Sequence, residues 1–151
     1  MRFTTKTEYG LVCLIYMARN SELKLDPITI RELVQAEQFS LAYTEKIMQS
    51  LRNANIVKAQ HGNQGGYVLD RHPSRITLRE IVEALEGSTF EMFCQPEVRE
   101  EIICTHYPMC GIKPVWEKTK EVLDTLYGSL TLEMVARNEL QSASLSKNPE
   151  I

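Results

Sequence analysis

The chain has 151 residues, 43% hydrophobic and 25% charged, the balance of a single compact domain or of a small domain with an added oligomerisation helix. No apolar run approaches the ~18 residues of a spanning helix, and Met1-Arg2-Phe3-Thr4-Thr5-Lys6 lacks the apolar core of a signal peptide, so a soluble, cytoplasmic protein is expected. The net charge of -3 conceals an asymmetry: residues 1–80 hold 11 Lys/Arg against 8 Asp/Glu, and residues 81–151 hold 6 against 12. A basic first half suits contact with nucleic acid, although chance unevenness of solvated charge would give the same figures.

Three segments begin with Ser/Thr followed three residues later by Glu, the signature of a capping box. The first, Thr5 to Glu8, predicts a helix carrying Leu11, Leu14, Ile15 and Ala18 on one face, with Cys13 as a small buried hydrophobe. The second, Thr29 to Glu32, predicts a helix carrying Ile30, Leu33 and Val34. A turn over residues 35–39 is too short for anything but two adjacent, crossed helices. Ser40 then caps a third helix, whose inward face is read as Leu41, Ile47, Met48 and Leu51 and whose outward face as Ala42, Tyr43, Lys46 and Gln49.

The pattern changes after this helix. Residues 56–60 and 67–69 are short and β-prone, and they flank a polar tip, His61-Gly62-Asn63-Gln64-Gly65-Gly66, whose glycines permit positive φ. This predicts a β-hairpin. The third capping box, Thr77 to Glu80, opens a fourth helix with Leu78, Ile81, Val82 and Leu85. Residues 87–113 are irregular, with Pro96, Pro108 and the cysteines Cys94, Cys104 and Cys110. A long helix over residues 114–138 follows, with an apolar stripe from Val115 through Val122 and Leu126 to Met134 wide enough for a partner helix. Residues 139–151 are polar and are expected to be loose.

Helix, short turn, helix, hairpin is the order of a winged helix-turn-helix. The expected class is therefore mostly α: a DNA-binding domain over residues 1–86 with a β-hairpin wing, a cysteine loop over 87–113, a long C-terminal dimerisation helix over 114–138 and a tail. Ser40, Tyr43, Lys46 and Gln49 are placed to meet phosphates or base edges in a major groove, and His61, Asn63 and Gln64 to lie over the minor groove. Taken singly, each is more often solvated surface than a contact; the order of elements and the glycine-marked hairpin carry the reading.

Three cysteines in a cytosolic chain cannot all pair with one another, and soft thiolates suit iron–sulfur clusters or zinc. His106 would complete a Cys₃His zinc site. No Cys/His/Asp arrangement or cofactor loop supports an enzyme.

Residues 1–11, the helix over 40–51, Gly62 to Tyr67 and residues 76–87 together resemble the Rrf-two family of bacterial regulators, in particular its IscR- and NsrR-like, cluster-binding members. The resemblance runs from residue 1 to about 135. It implies a homodimeric regulator, most simply a repressor, binding an inverted repeat of double-stranded DNA. Its affinity would be controlled by a [4Fe-4S] or [2Fe-2S] cluster responding to nitric oxide, iron or redox state. The family's cluster binders carry three cysteines between the fourth helix and the dimerisation helix, which implies Cys94, Cys104 and Cys110 as metal ligands. Some relatives donate a first-helix carboxylate across the dimer, which implies Glu8 as the fourth; capping with Thr5 is the competing role for that carboxylate. The sequence departs from the pattern in three places. The gap from Cys94 to Cys104 is long, Lys113 stands where IscR-like members have a histidine ligand, and His61 replaces a wing arginine. The alternative is the same winged-helix regulator with a structural zinc or a thiol sensor in its cysteine loop.

Overall fold

The computed structural model describes residues 4–21, 27–62, 65–91 and 109–139. In chain order the elements are α1 (Thr5–Ser21), α2 (Ile30–Glu37), α3 (Leu41–Asn53), β1 (Val57–Gln60), β2 (Gly66–Leu69), a 3₁₀ turn (Pro73–Arg75), α4 (Leu78–Glu86), α5 (Lys113–Ser129) and α6 (Leu132–Ala136). The class is the expected one, a mostly helical winged helix-turn-helix with a two-stranded antiparallel wing and a long C-terminal helix.

The core gathers the apolar stripes of the short helices. Leu14 and Met17 of α1, Leu33 of α2, Ile47, Met48 and Leu51 of α3 and Ile81 of α4 are essentially inaccessible to solvent, as is Cys13. Gly10 lets α1 approach α4 closely: a Cβ there would stand 2.5 Å from Leu85 Cδ1. The wing pairs Val57 with Leu69 and Gln60 with Gly66. Ile28 extends it by a bridge to Tyr67. That bridge explains Gly66, where a Cβ would meet the Ile28 carbonyl oxygen at 2.8 Å.

Two of the three capping boxes differ from expectation. Thr77 and Glu80 form the complete reciprocal box at α4. At α2, Thr29 Oγ1 accepts from Glu32 N–H at 3.1 Å, but the Glu32 carboxylate turns to the Tyr16 hydroxyl instead of returning to the cap. At α1 the box of Thr5 and Glu8 does not form. The first turn starts one residue earlier, with Thr4 O accepting from the N–H groups of Thr7 and Glu8 at 3.1 and 3.2 Å. The carboxylate that serves this turn is Glu86, at the end of α4, which accepts from the hydroxyls of Thr4 and Thr7.

The C-terminal stripe, read as one helix, is two. Leu130 and Thr131 are extended. Thr131 bridges Thr77, Leu78 N–H donates to Leu130 O at 2.8 Å, and Leu132 N–H donates to Ile76 O at 2.8 Å. Thr131 then caps α6 through Met134 N–H. These two backbone hydrogen bonds satisfy groups that the break takes out of the helix, and α6 buries Leu132 and Ala136 in the same core as α1. Tyr127, near the end of α5, is buried too.

Candidate nucleic-acid interface and cysteine segment

The turn between α2 and α3 closes on Gln38, whose positive φ of 57° ends α2 in the left-handed region. Ser40 begins α3: its Oγ accepts from Tyr43 N–H at 3.4 Å, and its carbonyl accepts from Thr44 Oγ1 at 2.9 Å. Thr44, Ile47, Met48 and Leu51 are buried, which turns Ala42, Glu45, Lys46 and Gln49 outward, all of them exposed. The N–H groups of the first turn and the Lys46 ammonium favour an anion at this end of α3, against the exposed carboxylate of Glu45.

Two assignments on this helix change. Leu41, placed on the inward face by periodicity, is 49% exposed, because the first turn projects beyond the core that receives Thr44 and Met48. Tyr43 is half-buried: its ring meets Tyr9 edge-on at 5.6 Å, and Tyr9 in turn stacks on Phe39 at 3.9 Å with planes 5° apart. Three aromatic rings thus brace the start of α3 against α1.

On the wing, His61 is exposed at the end of β1, and Lys58 pairs with Asp70 at 3.5 Å. Asn63 and Gln64 lie outside the described residues. Sequence reasoning missed Arg71, whose guanidinium donates to Asn55 O at 2.8 Å, Arg75 O at 3.0 Å and Glu80 Oε1 at 2.5 Å. It ties the foot of the wing to the turn after α3 and to the head of α4. Burial raises the Glu80 carboxyl, but bonds from Thr77 and the charge of Arg71 outweigh it and hold the group below its ordinary range.

Of the expected metal ligands, Cys110 is half-buried with a free thiol just before α5, and Glu8 is exposed on α1. Among the described residues Glu8 has no side-chain partner, and no three His, Cys, Asp or Glu side chains converge as a metal site. Cys94, Cys104 and His106 lie outside the described residues. Cys13 is buried in the core as expected, and burial, with a smaller push from the charge of Glu37, raises its thiol to about 11.

The two flanks of the cysteine segment meet. Phe90 and Trp116 lie 5.9 Å apart between ring centroids, and Thr89, itself buried, donates to Asp124 of α5. Asp124 also receives Lys120 at 2.5 Å and Arg79 at 3.6 Å. Burial raises this carboxyl, yet the bonds from Lys120 and Thr89 and the charges of Lys120 and Arg79 hold it low. The far face of α5 leaves Val115, Val122 and Leu126 exposed beside an open trough of about 580 Å³.

No helix among the described residues is long and apolar enough to cross a membrane. Residues 3–138 match the family described as Rrf2, iron-dependent transcriptional regulator. The chain is 30% identical over 136 residues to the transcriptional regulator CymR of Bacillus subtilis, covering 90% of each protein. It is 27% identical over 139 residues to the transcriptional regulator IscR of Xenorhabdus nematophila, covering 92% of this chain and 81% of that one. Among solved structures it resembles B. subtilis CymR, described as the global cysteine regulator, with a TM-score of 0.71 at 29% identity, covering 91% of this chain and 98% of that one. It resembles T. potens IscR with a TM-score of 0.69 at 25% identity, covering 98% and 94%. These relatives are DNA-binding regulators and not enzymes, and the chain belongs to the Rrf2 family of transcriptional regulators.

Proposed function

We propose that this protein is a homodimeric repressor that reads an inverted repeat with α3 and the wing, and whose operator affinity is set by an iron–sulfur cluster on Cys94, Cys104 and Cys110. The observation that carries the sensor half is the pinning of both flanks of the cysteine segment by Phe90–Trp116 and Thr89–Asp124. Anchors four residues before Cys94 and six after Cys110 close the segment into a loop, which lowers the entropic cost of bringing its thiols together. The donor chemistry fits: three thiols are soft ligands, and Glu8, released from capping by Glu86, is an exposed carboxylate available as a fourth.

A bound cluster would supply a centre that oxidants and nitric oxide attack. The chain's own residues do the rest. Asp124 and Thr89 fix the start of the loop on α5, Glu86 ties α4 to the first turn of α1, and Tyr9 carries the position of α1 to Phe39 and Tyr43 at the head of α3. On α3, Lys46 and Gln49 are exposed to meet DNA, Ser40 can donate its hydroxyl to a phosphate while its oxygen caps the helix, and the half-buried Tyr43 adds its hydroxyl; His61, Asn63 and Gln64 serve the wing.

A second reading has one observation in its favour, the 30% identity to CymR, a protein described as a global cysteine regulator. Here the same winged helix would respond through zinc or through the thiols themselves. Anaerobic purification separates the two. Brown protein with stoichiometric iron and sulfide, whose operator affinity changes on exposure to nitric oxide or oxygen, supports the cluster. Colourless protein carrying zinc or bare thiols after reconstitution overturns it and leaves the DNA-binding half intact.

A further inference from the structure

Seven large apolar side chains stand exposed among the described residues, and six of them fall between Met109 and Leu126, on or just before α5. The seventh is Leu41, at the first position of α3. It lies far from the others in sequence, and its neighbour Ala42 is exposed as well. Ala42 begins the outward row that continues through Glu45, Lys46 and Gln49, so the two side chains form an apolar corner at the end of an otherwise polar face. A half-exposed leucine forgoes part of the stabilisation that burial would give it, and an apolar partner at this corner would recover it.

The surroundings identify the partner. The corner sits beside the free N–H groups of the helix start and one turn from Lys46, groups that favour phosphate. A recognition helix presents its N-terminal residues to base edges, and the apolar group displayed in a major groove is the C5-methyl of thymine. We propose that Leu41, beside Ala42, is a specificity-determining residue that packs on thymine methyl groups in each operator half-site. This rests on α3 being the recognition helix. It adds a base preference that hydrogen-bonding side chains alone would not give.

The test uses the full chain. A high-affinity duplex is selected from a randomised library, and each thymine is then replaced by uracil, which keeps every hydrogen-bonding group and removes only the methyl. Wild-type protein should lose about fourfold in affinity for each methyl removed at one symmetry-related position per half-site, the value of one buried methylene. Leu41→Ala should bind the thymine and uracil duplexes equally, and Leu41→Met should keep the preference. Because Leu41 is exposed, the thermal midpoint and the oligomeric mass of Leu41→Ala should match wild type. Uracil tolerated everywhere by the wild type would overturn the proposal, as would discrimination that survives in Leu41→Ala. A changed oligomeric mass would also overturn it and assign Leu41 to contact with another chain. Failure to enrich any duplex at all would be a different result, removing the recognition-helix reading and this inference with it.

Discussion

Glu86, the last residue of α4, accepts a hydrogen bond from the hydroxyl of Thr7 in the first turn of α1, 79 residues away in sequence. The same carboxylate takes the hydroxyl of Thr4, and Lys6 closes the contact from the other side by donating to Leu85 O at 2.9 Å. The negative charge lies at a helix N-terminus and the ammonium at a helix C-terminus, so both dipoles are complemented at one crossing.

Burial raises the Glu86 carboxyl, but the bonds from Thr4 and Thr7 and the charge of Lys6 outweigh it and leave the group below its ordinary value of 4.5. A carboxylate depressed in the folded state stabilises the protein above its unfolded value and loses that contribution as pH falls through the folded value. Glu86→Ala should therefore destabilise the protein at pH 7 by about 0.5–2 kcal/mol, the usual cost of a lost helix cap. The gap between variant and wild type in thermal melts should narrow as the pH is taken below 4.5. A gap that stays constant through that range would remove the ionised clasp.

Dimerisation is expected along α5. Tyr127 is buried, whereas Val122 and Leu126, one turn apart from each other, are 54% and 49% exposed. Val122→Glu with Leu126→Glu should give monomers in sedimentation and remove cooperative binding to an inverted repeat. Folding should be preserved, because neither side chain belongs to the buried core. Dimers that persist in this double variant would place the interface elsewhere.

Lys46 and Gln49 differ from Tyr43 in what they should do on DNA. Lys46 is exposed, without a described ion pair. Its loss to Ala should weaken binding to all duplexes alike and reduce the slope of affinity against salt by about 1. Gln49→Ala should relax specificity at one base position, at a cost of about 1–3 kcal/mol. Tyr43→Phe keeps the ring contact with Tyr9 and removes only the hydroxyl. Its effect on binding reports a DNA contact, whereas the larger effect of Tyr43→Ala would include lost bracing of α3. Competition assays on specific and random duplexes across a salt series distinguish the three.

What was legible in the chain was what depends on neighbours in sequence. The Ser40 cap, the Thr77–Glu80 box and the glycine-marked hairpin all appear where local chemistry puts them. The clasp by Glu86, the three-way tie of Arg71 and the Thr89–Asp124 anchor were not legible, because each joins elements by a contact that no local spacing encodes. Thr5 and Glu8 carry a valid capping pattern that lost to a carboxylate from another helix. Leu41 fits the helical period of its inward neighbours, but periodicity carries no information on where the core ends. The break at Leu130 and Thr131 did leave a signal, a threonine followed by Leu132 and Glu133, which the continuous apolar spacing around it concealed.

The cysteines and Glu8 allow the sharpest separation of roles. Cys13 has a buried thiol raised to about 11, so its thiolate is disfavoured, and Cys13→Ala should leave any cluster spectrum unchanged. Replacing Cys94, Cys104 or Cys110 with Ala should each remove most of the visible absorbance, since two remaining thiolates hold a cluster poorly. Glu8→Ala should behave differently from both groups. The residue is exposed and has no described side-chain partner, and the turn it belongs to is served by Glu86, so thermal stability without metal should change by less than about 0.5 kcal/mol. In the reconstituted protein the same substitution should shorten the lifetime of the cluster in air and weaken its effect on operator affinity. Destabilisation of the metal-free protein comparable to that of Glu86→Ala would show Glu8 to be a structural cap. Unchanged cluster lifetime and DNA response, with stability also unchanged, would leave Glu8 as solvated surface and move the search for a fourth ligand to His106.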